Sequence, residues 1–128
     1  MILLDTHVFI WLVNGDDKLS EKCIKILKED QNKFLSVIST WEISLLLEKD
    51  RIRINYSFED WIHNALTAYN IQLMNLDLDI IITYHKLNDF HSDPADKLIS
   101  ATSICKNIPL LTFDRKLIEY KKLNIIEI

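Results

Sequence analysis

The chain has 128 residues, 48% of them hydrophobic and 27% charged, with a formal net charge of −4. That length falls within the roughly 100–150 residues typical of one domain and leaves enough apolar surface for one core, so residues 1–128 read as a single domain. Several classes are excluded: the longest apolar run, Val8–Val13, is far short of the ~18 residues of a membrane-spanning helix, the single glycine supplies no Gly-rich phosphate loop, and a net acidic chain lacks a general polyanion-binding surface.

The segments alternate between short apolar runs and longer stretches of helical periodicity. "MILL" opens as a strand. Asp5 and His7 interrupt the apolar start and no basic residue precedes it, which argues against a secretory signal and sets a cytoplasmic location as the expectation. Asp5 with Thr6 caps a short helix at "HVFIWLV". "KFLSV" is the second strand, and Ser39 precedes a helix at "TWEISLLLEK". Ser57 precedes "FEDWIHNALTAY"; "NIQLMNL" is a strand; Asp77 precedes "LDIIITYHKL"; Asp93-Pro94 precedes "ADKLISATSICK". "IPLLT" and "NIIEI" complete the strands, with a helix at "RKLIEY" behind Asp114. Strands alternating with helices imply an α/β fold with a parallel sheet covered on both faces. Cys23 and Cys105 sit in apolar helical patterns and read as buried reduced thiols, with no zinc or disulfide spacing.

In open parallel sheets, ligands bind beyond the carboxyl ends of the strands. Asp5, Glu42, Asp96 and Asp114 all fall where a strand ends or a helix begins. Each has a local explanation. Asp93 caps its helix, Pro94 suits the first position, and Asp96 in the first turn favours the positive end of the dipole. Ser39-Thr40-Trp41-Glu42 fits a capping box. Taken together the four acids resist that explanation, because the fold gathers like charges that raise one another's pKa, and caps can equally be Ser, Thr or Asn. Converging carboxylates suit a hard divalent cation. Ser100 and Ser103 share the helical face of Asp96, so its carboxylate is expected to face a polar space.

"MILLDTHVFIWLV", "SVISTWEISLLLEK", "HSDPADKLISATS" and "PLLTFDRKL" resemble the four motifs of PIN-domain nucleases, particularly the VapC-type toxins of toxin-antitoxin pairs, in the right order over essentially the whole chain. The resemblance implies a three-layer α/β/α sandwich with a central, mostly parallel sheet. It also implies a ribonuclease dependent on Mg²⁺ or Mn²⁺, a cognate antitoxin and a homodimer. Its first to fourth acids match Asp5, Glu42, Asp96 and Asp114, which would be both catalytic residues and metal ligands. Thr6 and Thr112 match positions that hold water and carboxylates. Ser39 matches a small hydroxyl residue and reads here as a cap. Asp93, in D-P-x-D, caps its helix, supports the metal shell, or does both.

An RNA substrate requires cations near these acids. Arg115 and Lys116, beside Asp114, are the nearer candidates; Lys49, Arg51 and Arg53 read more simply as solvated surface. The four histidines share no metal-like spacing, and His7 and His91 flank the motifs without an expected catalytic role. Trp11, Trp41 and Trp61 lie on apolar helical faces and read as core or interface; Phe9 and Trp11 also suit a groove for an antitoxin helix or a homodimer seam. A haloacid-dehalogenase-type phosphatase would need D-x-D where the chain has Asp5-Thr6-His7. The alternatives that remain are a PIN-fold RNA-processing nuclease outside toxin systems, and a PIN-fold binding module without turnover.

Overall fold

A computed structural model describes residues 1–29, 32–91 and 93–126. The elements run β1 (Ile2–Leu4), α1 (Thr6–Asn14), α2 (Glu21–Glu29), β2 (Lys33–Ser36), α3 (Val37–Glu48), α4 (Phe58–Ala68), β3 (Ile71–Met74), α5 (Leu78–Lys86), α6 (Pro94–Lys106), β4 (Leu110–Leu111) and α7 (Arg115–Ile118). The four strands form one sheet in the order β3-β2-β1-β4, and every pairing is parallel. From β1 the chain builds outward through β2 to β3, then returns across the sheet to lay β4 on the other side of β1. The direction of winding therefore reverses between β1 and β4, and a parallel sheet opens a crevice for ligands at such a reversal.

Successive strand residues point to opposite faces, so the short strands feed two cores. Ile2, Leu4, Leu35 and Leu111 join Phe9 of α1, Leu27 of α2, Ile43 of α3 and Trp61 of α4 on one face. Leu3 and Leu110 join Ile99 of α6 and Leu117 of α7 on the other. A smaller cluster of Ile80, Leu87 and Ala101 seats α5 on α6. The result is the expected sheet between two helical layers. Phe9 is fully buried and meets Trp61 edge to face at 5.8 Å. Truncating such a ring costs about 3–5 kcal/mol, so its role is the core rather than the docking groove or dimer seam considered from sequence.

Helix boundaries follow local chemistry. Gly15 ends α1 at φ +65°, in the left-handed region that glycine enters without a Cβ penalty. Ser57, Asp77 and Asp93 cap α4, α5 and α6 as their positions predict. The expected cap at Ser39 is wrong. Ser36, at the extended end of β2, accepts from the Ile38 N–H, so α3 starts at Val37 and Ser39 lies inside it, fully buried. The "NIIEI" run contributes one isolated bridge, Leu110 with Ile125, rather than a strand among the described residues; Glu127 and Ile128 lie outside them. Cys23 is buried as expected, whereas Cys105 is only partly so. No helix among the described residues is long and apolar enough to cross a membrane.

Candidate active site

The parallel register sets neighbouring strand ends side by side. Leu4 of β1 pairs with Leu35 of β2 and with Leu111 of β4, and the Asp5 N–H donates to the Leu111 carbonyl at 3.0 Å. Asp5 and Thr112 thus leave adjacent strands at the winding reversal, and α3 and α7 start from the same edge. Helix α6 runs back against the strands and brings its N-terminus, with Asp93 and Asp96, to that edge. Asp5, Glu42, Asp93, Asp96 and Asp114 line one cleft of about 300 Å³ whose remaining wall is His7, Val8, Trp11 and Phe113. All four acids singled out in the sequence, with Asp93, come to the same space.

Two threonines hold these carboxylates. Asp5 is 6% exposed; its Oδ1 accepts from the Thr6 N–H at 2.8 Å and its Oδ2 from the Thr112 hydroxyl at 2.7 Å. Thr112 Oγ1 also accepts from the Asp114 N–H at 3.1 Å, tying the fourth acid to the first. The Thr6 hydroxyl donates to Glu42 Oε1 at 2.5 Å and lies 2.8 Å from Ser39 Oγ. A hydroxyl has one proton to give, so with an ionised Glu42 the contact between Thr6 and Ser39 runs with Ser39 as donor. Ser39 therefore aims the hydroxyl that holds Glu42, instead of capping α3.

Burial, with added repulsion, raises Glu42, Asp96 and Asp5. Glu42 is pushed up to about 7, first by burial, against the Thr6 hydrogen bond, with added repulsion from Asp96, Asp5 and Asp93. Asp96 is pushed up to about 6 by burial, against the His91 hydrogen bond, with repulsion from Asp93, Asp5 and Asp114. Asp5 is raised by burial more than its hydrogen bonds to Thr112 and Thr6 lower it. Asp93 and Asp114 cap α6 and α7, accepting from the N–H groups of Asp96 and Lys116.

Some contacts were not legible in the sequence. His91 Nε2 lies 3.1 Å from Asp96 Oδ2, and its ring stacks on Phe90 at 4.2 Å. Although no catalytic role was expected of it, His91 sits against a proposed ligand. The only signal was its place just ahead of a helix N-terminus, in non-helical backbone where periodicity carries no information. Trp11 and Phe113, 6.0 Å apart, form an aromatic wall. Ser100 and Ser103 are buried rather than facing open polar space: Ser103 donates to the Ile108 carbonyl, and Ser100 Oγ has no partner among the described residues. Trp41 is 51% exposed and so is no core residue. Of the cations, Arg115 reaches Glu119 at 3.6 Å in solvent and lines no part of the cleft.

The cleft offers five carboxylates, with the imidazoles of His7 and His91 at its edge and no thiolate, a mainly oxygen donor set that suits Mg²⁺ or Mn²⁺ better than zinc. Among the described residues no three His, Cys, Asp or Glu side chains form a ready-made coordination group. The cleft thus has the right donors in a loose arrangement.

A parallel α/β sandwich with an acid-lined cleft at its winding reversal defines the class. The PIN-domain pattern matches residues 2–123, and the chain belongs to the PIN-domain family. It is similar to ribonuclease VapC22 of Mycobacterium tuberculosis, with 29% identity over 117 residues that span 91% of this chain and 88% of that protein. Its fold resembles that of VapBC2 from Rickettsia felis bound to a promoter DNA fragment, at TM-score 0.76, 16% identity and 98% coverage of both chains. A toxin-antitoxin complex from Klebsiella pneumoniae matches at TM-score 0.71 and 16% identity, covering 99% of this chain and 97% of that one.

Proposed function

We propose that this PIN-domain protein is a Mg²⁺- or Mn²⁺-dependent endoribonuclease, the toxin partner of a protein antitoxin. The observation that carries the reading is the cleft in which Asp5, Glu42, Asp96 and Asp114 meet, with three of the four held above the usual carboxylate range. The likeness to a VapC ribonuclease supports the activity, and the toxin-antitoxin complexes of the same fold support the partner.

When bound, a divalent ion supplies Lewis-acid stabilisation of the phosphoryl oxygens and lowers the pKa of a water. The chain's own residues set up the rest. Asp5 is fixed through both oxygens, by the Thr6 N–H and the Thr112 hydroxyl, at the end of β1. The Thr6 hydroxyl orients Glu42, and the backbone link from Thr112 orients Asp114. With Asp96, these four would hold the ion. Glu42 and Asp96, at about 7 and 6, carry protons for part of the time near neutrality and release them when cations fill the cleft. Trp11 and Phe113 exclude water from one side and offer faces to a base.

The test is cleavage of a mixed cellular RNA pool in Mn²⁺ by the antitoxin-free protein and by Asp96→Asn, with EDTA arms for both. The expected outcome is EDTA-sensitive cleavage that falls to background in Asp96→Asn with its melting temperature unchanged or raised. Equal cleavage by both proteins would refute the site assignment, and RNA binding without any metal-dependent turnover would favour a binding module.

A further inference from the structure

Beside the acid cleft lies a second hollow of about 610 Å³, walled by α3, Arg51 and the start of α6; it shares His7, Glu42 and Asp93 with the cleft. Trp41 and Leu45 line it one turn apart on one face of α3, followed at the same spacing by Lys49, the helix's C-cap, with Arg51 and Lys116 at its margin. Trp41 is the large half-exposed side chain of that face, and its ring meets no other aromatic group among the described residues. Lys49, Arg51 and Lys116 make no ion pair among the described residues, whereas Arg115, close by in sequence, has Glu119.

We infer that this groove seats a nucleotide of single-stranded RNA next to the one being cut, with the Trp41 indole as its stacking platform and Lys49, Arg51 and Lys116 as its phosphate contacts. The inference rests on the nuclease reading above. Its volume lies within the ~300–1,000 Å³ of pockets that enclose small organic groups, enough for a base with its sugar. An aromatic face beside unpaired cations is the pattern by which single strands are held without reading their sequence: bases stack and the backbone is neutralised. The shared residues make groove and cleft continuous, so a strand with its phosphate at the acids places a neighbouring nucleotide over Trp41. The placement also shows how a net acidic chain attracts a polyanion: its free cations stand beside the acids, ahead of the point of chemistry. The sequence-based preference for Arg115 is replaced by Lys49 and Arg51.

The experiment uses a short fluorescein-labelled single-stranded RNA of random sequence. Anisotropy gives binding to the full chain in an Asp96→Asn background, and cleavage in Mn²⁺ by the otherwise intact protein gives KM and kcat. Trp41→Ala is expected to weaken binding and raise KM about tenfold, within the range for loss of one stacked base, with kcat within about twofold. Trp41→Phe, which keeps an aromatic face, restores most of the loss and shows that folding is intact. Lys49→Ala with Arg51→Ala should lower the salt dependence of log K by about 1.4, roughly 0.7 for each phosphate contact in a single strand. Unchanged KM and salt slope in a protein that still cuts RNA would overturn the groove assignment and leave the nuclease reading intact. If wild type cuts no RNA yet binding still depends on Trp41, the groove stands and the nuclease reading falls. Variants that lose a co-expressed antitoxin while binding RNA normally would also overturn the inference, and would give the groove to a protein.

Discussion

Thr112→Val removes one hydroxyl and nothing else of consequence in shape. Thr112 is 3% exposed, and its Oγ1 donates at 2.7 Å to an Asp5 carboxylate that is itself 6% exposed. The same atom receives the Asp114 N–H at 3.1 Å. A hydrogen bond to a charged group contributes about 1.5–3 kcal/mol, and loss of one partner leaves the buried oxygen without compensation. The expected loss for the metal-free protein is therefore about 2–3 kcal/mol at pH 8, a fall in melting temperature of roughly 6–12 °C for a domain of this size. Thr112→Ser keeps the hydroxyl and should lose less than half as much. Urea unfolding followed by circular dichroism measures both, and repeating it at successively lower pH tests the charge: burial raises the Asp5 carboxyl, so the penalty should shrink as pH falls and it gains a proton. A Thr112→Val cost below about 0.5 kcal/mol, or one that grows on acidification, would refute the claim that this threonine holds an ionised, buried Asp5.

The pH dependence of the metal-free protein has a defined sign. Glu42 and Asp96 are raised to about 7 and 6 from ordinary values near 4, so between those limits the folded chain binds protons that the unfolded chain has released. Their contribution is fully present below the unfolded values and is lost as pH rises through about 7, giving a protein less stable at pH 8 than at pH 5 by about 1–3 kcal/mol after allowance for solvent screening in an open cleft. Glu42→Gln should flatten most of that slope, and saturating Mn²⁺ should reverse it by binding the ionised form; a flat profile in wild type would contradict the crowded cleft. Asp93→Ala should cost about 1 kcal/mol for loss of the α6 cap, while Asp93→Asn keeps stability and Mn²⁺ binding, both read by calorimetry. Loss of Mn²⁺ affinity in Asp93→Asn comparable to that in Asp96→Asn would make Asp93 a ligand rather than a cap.

Four of the five expected strands, the parallel sheet and the gathering of the four acids at one edge were legible because they rest on short-range signals: apolar runs of strand length, Asp5 and Asp114 directly behind them, and Asp93-Pro94 at a helix start, whereas the strand order was not. The start of α3 was not, because Ser36 and Ser39 carry the same chemistry and only the end of β2 decides between them. The core alternative for Trp41 failed for a related reason, leaving the interface one. Polar and apolar residues are spread around α3 with no separate polar face, so periodicity assigns no outward side, and the packing of α3 against the sheet and α6 settles which residues are covered. The contact of His91 with Asp96 and the two threonine links are tertiary, joining residues that no local pattern relates.

Whether an acid at a helix start is a cap or a chemical group has a different answer for each carboxylate. Asp5, Asp93 and Asp114 each accept a backbone N–H at the start of α1, α6 or α7, so capping accounts for their presence even if they also serve the cleft. Glu42 and Asp96 cap nothing. Each is held in a partly buried space where burial and neighbouring acids oppose its charge, and each is steadied by a hydrogen bond from a side chain, Thr6 or His91. A fold selected for stability alone would replace both by amides or apolar groups at no structural loss. Their place beside three capping acids in one cleft fits the cation of the proposed function, which would offset that crowding.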